Sequence, residues 1–367
     1  MFLKNTFLLL LIGALGFCSR SPEELIILGN EAIGEEKKDD ALVYYTLAYH
    51  RSLDDQYSLD SFEEDQYTDA AMSSSGNALI ALIHNEVKKN TSVSFYNFTT
   101  EQSWDKKIRG FIKYMTLSSN GLYAVWLVEK ETDKCYIELW DISAEEKLPF
   151  TAVTNCHQKP AVSDTGQVLF ILEKKIASFN THSKHLQKDF IKQTPDAPLK
   201  GLPAWAWFQY SPLNEPFLTF GSAGVYKAYS LTSQKLSLLT RDAAAGQMYF
   251  LKNSNEVGVI VGGANNHKIQ LFSTYPETRS THTYPVRFWR DIAFFNRTQY
   301  YFVEDSKAFF HDGTEDHALP FFATKIWINT NQELIIFQKS GRFYRYNGNQ
   351  PSALTFKIFQ LISDIKE

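Results

Sequence analysis

At 367 residues and 42.1 kDa the chain can bury one large all-β core or two ordinary domains. Its 37 basic and 41 acidic residues leave a net charge of -4, without the positive excess on which nucleic-acid binding leans, so a nucleic-acid partner is not expected. Aromatic residues make up 15% of the chain, with 28 Phe, 19 Tyr and 7 Trp, and such side chains favour pleated, half-buried surfaces.

The chain opens with a short basic segment, Met1 to Lys4, and an apolar run from Phe7 to Leu15. That run is shorter than the ~20 residues of a membrane-spanning helix and reads as a signal peptide over residues 1–18. It ends Leu15-Gly16-Phe17-Cys18-Ser19, which resembles the lipobox of bacterial lipoproteins, with Phe17 where a small residue is usual. The resemblance implies cleavage before Cys18 and a lipid anchor on its sulfur. Ordinary secretion, with Cys18 removed or left as an incidental thiol, is the other reading. Both export the protein. The first places it in the cell envelope, facing the periplasm or the surface, held to the membrane by its lipid, with other envelope proteins as partners.

Residues 19–53 read as a helical hairpin. Ser21-Pro22-Glu23-Glu24 combines an N-cap, a first-turn proline and acids near the positive end of the helix dipole. Leu25, Leu28, Ala32 and Ile33 recur at helical spacing, Gly34 to Asp40 interrupts, and Ala41, Tyr44, Tyr45 and Ala48 resume. Leu28-Gly29, Ala32, Ala41, Tyr45 and Ala48 resemble the packing positions of one tetratricopeptide repeat. Such repeats need about three units to bury their faces, so a single one must pack on another domain or a partner. A plain hairpin docked on the following domain fits the same residues. Residues 54–67, rich in Asp, Glu, Ser and Tyr, read as a solvated acidic linker.

Residues 68–367 repeat. A polar turn precedes an apolar strand at Ser75-Gly76, Asn120-Gly121 and Thr165-Gly166, spaced by 45 and 45 residues, and in weaker form at Asn214, Asn255, Asn296 to Thr298 and Asn331. One strand later an aromatic precedes a small polar or acidic residue or a histidine: Tyr96-Asn97, Trp140-Asp141, Phe179-Asn180, Tyr229-Ser230, Phe272-Ser273, Phe310-His311 and Tyr346-Asn347. Two ordered markers at a period of roughly 40 to 45 residues are the pattern of four-stranded blades. The second marker resembles the tryptophan-aspartate ending of WD repeats, most closely at Ile137 to Ile142, although their early glycine-histidine signature is absent. The expected fold is therefore all-β, a seven-bladed β-propeller preceded by a short helical hairpin. Ala353 to Leu361 is expected as a terminal strand beside Gln66 to Met72, covering the exposed edges.

Cys135 and Cys156 flank a hairpin expected to turn near Ala144 to Glu146, which sets them nearly opposite each other and within bridging reach. Two unpaired thiols are the other reading. No nucleophile elbow, phosphate loop, zincin histidine pair or cysteine knuckle is found, so no catalytic residue, metal ligand or cofactor is assigned. His182 and His185 fall in a polar loop. The candidate binding surface is the propeller mouth where one blade hands over to the next. Lys107, Arg109, Lys159, Lys200, Arg241, Arg287, Arg290 and Lys325 fall near these handovers, with Trp205, Trp207, Trp289 and Trp327 close by. That mixture suits an acidic peptide, a carboxylated sugar or a phosphorylated headgroup; ordinary solvated positions and blade packing are the bland alternative. Two functional classes follow, an envelope scaffold or binding platform and a channel enzyme or small-ligand binder acting on glycan or peptide. The basic and aromatic character of the handovers favours binding.

Overall fold

The structure, a computed structural model, describes residues 20–59, 62, 67–132, 134–154, 156–172, 175–188, 190, 207–222, 225–232, 236–240, 248–251, 256–261, 267–273, 283–286, 289–349 and 351–366. Ser61–Phe343 form one compact unit, and the described residues on either side form another. Cys18 lies outside the described residues, as do Lys200, Trp205, Arg241 and Arg287.

In the smaller unit, helix α1 (Pro22–Gly34) starts at the expected place because Ser21 and Glu24 close a capping box. Ser21 Oγ accepts the Glu24 N–H at 3.3 Å, and a Glu24 carboxylate oxygen accepts the Ser21 N–H at 2.9 Å. Helix α2 (Lys38–Tyr57) runs four residues past Leu53. The two helices approach closely at Gly29, where a Cβ would stand 2.2 Å from the Tyr45 ring; Tyr45 lies across α1 and donates to Asn30 Oδ1 at 2.7 Å.

The expected strand over Ala353 to Leu361 is instead part of a third helix, α3 (Ala353–Lys366). Its buried residues are Thr355, Ile358, Phe359, Ile362 and Ser363, a three-and-four spacing that belongs to a helix face and not to a strand. Ser352 Oγ accepts the Thr355 N–H at 3.1 Å and caps the start. Phe359 packs against Tyr49 of α2 with ring centroids 6.3 Å apart. Part of the apolar surface of α2 is thus covered by α3.

In the larger unit, consecutive antiparallel strands form sheets in simple sequence order, and the described residues contain seven of them, the last with three strands and the others with four. In the first three sheets the second strands carry unbroken apolar runs, Ala78–Leu82, Ala124–Val128 and Val168–Ile171, because both faces are buried. In the second sheet, Ala124, Trp126 and Val128 pack with Ile80, Leu82 and Val93 of the first. Val125 and Leu127 point the other way and pack with Val162, Phe170 and Phe179 of the third. In the second sheet Lys134–Asp141 pairs with Glu146–Thr154. The sulfurs of Cys135 and Cys156 lie 2.10 Å apart, with Cα atoms 5.1 Å apart, so a disulfide fastens this hairpin to the segment leading into the third sheet.

In five of the sheets the turn from first to second strand is built on a buried hydroxyl or amide. Ser73, Ser118, Ser163 and Ser211 accept, through Oγ, the backbone N–H of Ala78, Tyr123, Gln167 and Glu215, at 2.9–3.0 Å. Asn329 Oδ1 does the same for Glu333 at 2.9 Å. These turns also join neighbouring sheets: the Asn120 N–H donates to Asp164 at 2.7 Å, the Asp164 N–H to Asn214 at 2.9 Å, and the Thr330 N–H to the Gly76 carbonyl at 3.1 Å. The last of these brings the seventh sheet against the first, with no strand shared between them.

Gly121 has φ +74°, and a Cβ there would meet Ala78 Cβ at 2.5 Å. Gly121→Ala combines left-handed strain with overpacking and is expected to lower the stability of this unit by about 2–4 kcal/mol. Guanidinium unfolding followed by tryptophan fluorescence reads this directly; an unchanged midpoint would show that the turn does not set the sheet-to-sheet distance.

Candidate functional site

Because every sheet runs from its first strand outward, the first strands begin at one mouth and turn back at the other. The residue four positions before the buried turn residue is Asp69, Tyr114, Lys159, Trp207 and Lys325 in five of the sheets. In the other two, Tyr249 and Asp291 occupy the first strands Met248–Phe250 and Trp289–Phe294. Several of these side chains converge although they are far apart in sequence.

Lys325 donates to Asp69 Oδ1 and, at 3.0 Å, to the Ala70 carbonyl, an ion pair joining the seventh sheet to the first. Lys159 lies in a corner made by two aromatic rings. Its Nζ stands 3.4 Å from the Trp207 ring centroid and 5.6 Å from that of Tyr114. The two rings meet at 89°, and the Trp207 indole N–H donates to the Tyr114 hydroxyl at 3.0 Å. The backbone holds this geometry, because Lys159 and Trp207 form a parallel bridge and the Phe208 N–H donates to the Lys159 carbonyl at 2.9 Å. Burial and the nearby Lys325 ammonium lower the Lys159 pKa to about 8, partly opposed by Asp69. Among the described residues no carboxylate pairs with Lys159. Burial pushes the Tyr114 hydroxyl well above its ordinary value, so it remains protonated.

Asp291 is buried beside Lys325. Burial raises its pKa to about 6, while one oxygen accepts the Ile326 N–H at 2.8 Å and Tyr249 donates a further bond. Further along the same strands a cavity of ≈ 160 Å³ is lined by Thr116, Gln209, Ala293 and Trp327 together with Ser73, Ser74 and Tyr210 near the opposite turns, and not by Asp69, Lys159 or Lys325. Residues two apart on a strand share a face, so the mouth layer rests on the cavity layer.

Of the residues selected from sequence, Lys159, Trp207 and Lys325 meet at this mouth, and Trp327 lines the cavity beneath. Lys107 and Arg109 are exposed on the outermost strand of the first sheet, Ser103–Arg109, away from the first strands. Trp289 and Arg290 lie in the first strand of the sixth sheet. His182 is exposed in a turn and His185 is exposed on the outermost strand of the third sheet. Asp69, Tyr114, Tyr249 and Asp291 escape a search for basic and aromatic handovers. For Asp69 and Tyr114 the available signal is the constant four-residue offset from the buried serine of the next turn.

No protein-family model matches the chain, and no curated protein does. Solved structures do match. The β-propeller domain of the Trilobed protease from Pyrococcus furiosus, whose structure is described as an open velcro topology, superposes with TM-score 0.50 at 9% identity, over 77% of this chain and 96% of that one. A chain of the Mitotic Checkpoint Complex gives TM-score 0.50 at 10% identity, over 77% and 93%. At such identities the likeness defines the fold: this chain has an all-β, propeller-like architecture.

The buried Asp291 gives a testable pH dependence. Its folded pKa is raised from 3.8 to about 6, so its contribution is fully present below the unfolded value and is lost as pH rises through 6. At neutral pH the ionised group costs on the order of 3 kcal/mol, taking ~1.4 kcal/mol per pH unit. Asp291→Asn keeps a carbonyl for the Ile326 N–H and is expected to raise stability at pH 7 while flattening its fall between pH 4 and 6. Urea unfolding across that range checks it, and an unaltered pH slope would count against a buried, titrating Asp291.

Proposed function

We propose that this protein is an exported binding platform. In this reading each of the seven sheets is one blade of a seven-bladed propeller. Cys18 carries the lipid that tethers the chain to a bacterial envelope membrane, and the handover mouth receives another envelope protein. The hairpin of α1 and α2 keeps its tetratricopeptide-like packing and offers a second surface to partners. The observation that carries the reading is the meeting of Lys159, Trp207 and Tyr114 at one mouth beside the Lys325–Asp69 pair. A desolvated ammonium against an aromatic corner resembles the centre of a recognition surface, where aromatic and basic groups contribute most of the binding free energy.

An enzyme working through the same channel would need a titratable group free to act on substrate. Asp291 is committed to the Ile326 N–H and Tyr249, and Asp69 to Lys325, which leaves Lys159 without a free acid beside it among the described residues to complete an acid–base pair.

The test is affinity purification of the tagged full-length chain from gently solubilised envelopes. The native sequence is expected to retain a stoichiometric partner, Lys159→Glu with Trp207→Ala to lose it, and Lys107→Glu with Arg109→Glu to keep it. Partner loss from the outer-strand variant alone would place the contact elsewhere and defeat the mouth assignment. In fractionated cells, Cys18→Ser is expected to move the protein from the membrane to the soluble fraction and to remove the lipid mass from its amino-terminal peptide. Retention in the membrane without that cysteine would remove the anchor from this reading.

A further inference from the structure

The cavity bordered by Thr116, Gln209, Ala293 and Trp327 differs from the mouth in chemistry. Among the described residues, no Asp, Glu, Lys, Arg or His lines it. In a chain where 21% of residues are Asp, Glu, Lys or Arg, an uncharged lining restricts what the space can hold. Its occupant is a separate matter from the protein partner of the mouth.

Strand register decides which side chains face this space. Met115 and Leu117 pack in the core between the first and second sheets, Phe208 and Tyr210 in the core between the third and fourth, and Ile292 and Phe294 with Leu251. Thr116, Gln209 and Ala293 each stand between two such residues and therefore take the other strand face. Ala293 ends at its Cβ, which leaves room there. Thr116 Oγ1 lies beside the Tyr114 hydroxyl and reaches the Leu117 carbonyl only at 3.5 Å. The Trp327 indole N–H has no hydrogen-bond partner among the described residues. Ser74, at the turn end of the cavity, carries a buried hydroxyl that is likewise without a partner, and a buried polar group is costly to leave unpaired. The first strands also form one edge of their sheets, so part of their backbone N–H and C=O groups has no ladder partner on that side, except where Lys159 and Trp207 bridge.

A lining that offers donors and acceptors but no charge suits hydroxyl groups, each of which both donates and accepts. A carboxylate brings only acceptors and an ammonium only donors, and either would enter without a counter-charge at a large desolvation cost. We propose that this cavity is a binding site for one small uncharged polyol, open-chain or a single sugar ring, whose hydroxyls exchange hydrogen bonds with Thr116, Gln209, the Trp327 indole and the strand edges. Size sets the upper limit. The ≈ 160 Å³ is close to the roughly 150 Å³ that holds one benzene ring, so one six-membered ring is enclosed and a second is left outside.

The experiment is calorimetric titration of the full chain at pH 7 with glycerol, sorbitol and glucose, with gluconate and N-methylglucamine as the anionic and cationic counterparts of sorbitol, and with maltose as a two-ring form of glucose. At least one of the three neutral probes is expected to bind saturably. Sorbitol is expected to bind at least about tenfold more tightly than either charged counterpart, and maltose no more tightly than glucose. Ala293→Leu fills the space and is expected to weaken binding at least about tenfold. Thr116→Val removes a hydroxyl at nearly constant shape, Trp327→Phe removes the indole N–H, and each is expected to weaken binding about threefold or more. Unfolding midpoints show which variants are folded, and these two carry the test if Ala293→Leu is not. Lys107→Glu, on the outermost strand of the first sheet, is expected to change nothing. No saturable binding of any neutral probe, charged counterparts that match sorbitol, maltose tighter than glucose, or folded cavity variants with unchanged affinity overturns the assignment. Loss or retention of the envelope partner in the mouth variants bears on none of these outcomes, so the two readings stand or fall separately.

Discussion

A four-stranded sheet with apolar side chains on both faces cannot exist alone in water, and that constraint governs the larger unit. Ala124, Trp126 and Val128 need the first sheet, while Val125 and Leu127 need the third. Each large apolar side chain buried this way contributes about 1.5–3 kcal/mol, so the sheets stabilise one another far more than themselves. A succession of such sheets curves until its ends meet, and here the Lys325–Asp69 pair and the Thr330-to-Gly76 hydrogen bond are where they do. The smaller unit obeys the same rule with helices, because α3 packs its buried face on α2.

The turns convert this stacking into a site. A buried serine or asparagine pins the first turn in five of the sheets, and at several of them side-chain or backbone bonds tie the turn to a neighbouring sheet. With the turn fixed, the residue four positions earlier is delivered to the opposite mouth at a set height. Asp69, Tyr114, Lys159, Trp207 and Lys325 are therefore gathered by the register of the strands, without any local motif. Low burial cost for a lysine at such a place requires compensation, which the Trp207 face provides only in part, since desolvation still lowers the Lys159 pKa to about 8.

Much of this is legible in the sequence where a local rule acts alone. The capping box at Ser21 and Glu24, the left-handed glycines at 76, 121 and 166, and the paired markers of each repeat are short-range signals, and they locate helix, turns and strands. Ala353 to Leu361 misleads because a dense apolar run fits strand and helix equally by composition, and only the burial of Thr355, Ile358, Phe359 and Ile362 separates them. The site is harder. Basic and aromatic residues near the handovers include Lys159, Trp207 and Lys325, yet the same search selects Lys107 and Arg109, whose strand is outermost. It passes over Asp69 and Tyr114, because which face of a strand looks into the channel is fixed by the turn register and by long-range packing.

Lys159, held poorly solvated against the Trp207 ring, is the centre of the mouth. Reductive ¹³C-methylation of the lysines followed by an NMR pH titration reads this directly, with Lys159→Arg assigning the signal. One resonance is expected to be displaced by the ring current of Trp207 and to titrate near pH 8, with the displacement lost in Trp207→Leu. A Lys159 signal at the ordinary lysine position, titrating with the exposed lysines near 10.5, would contradict the mouth as described.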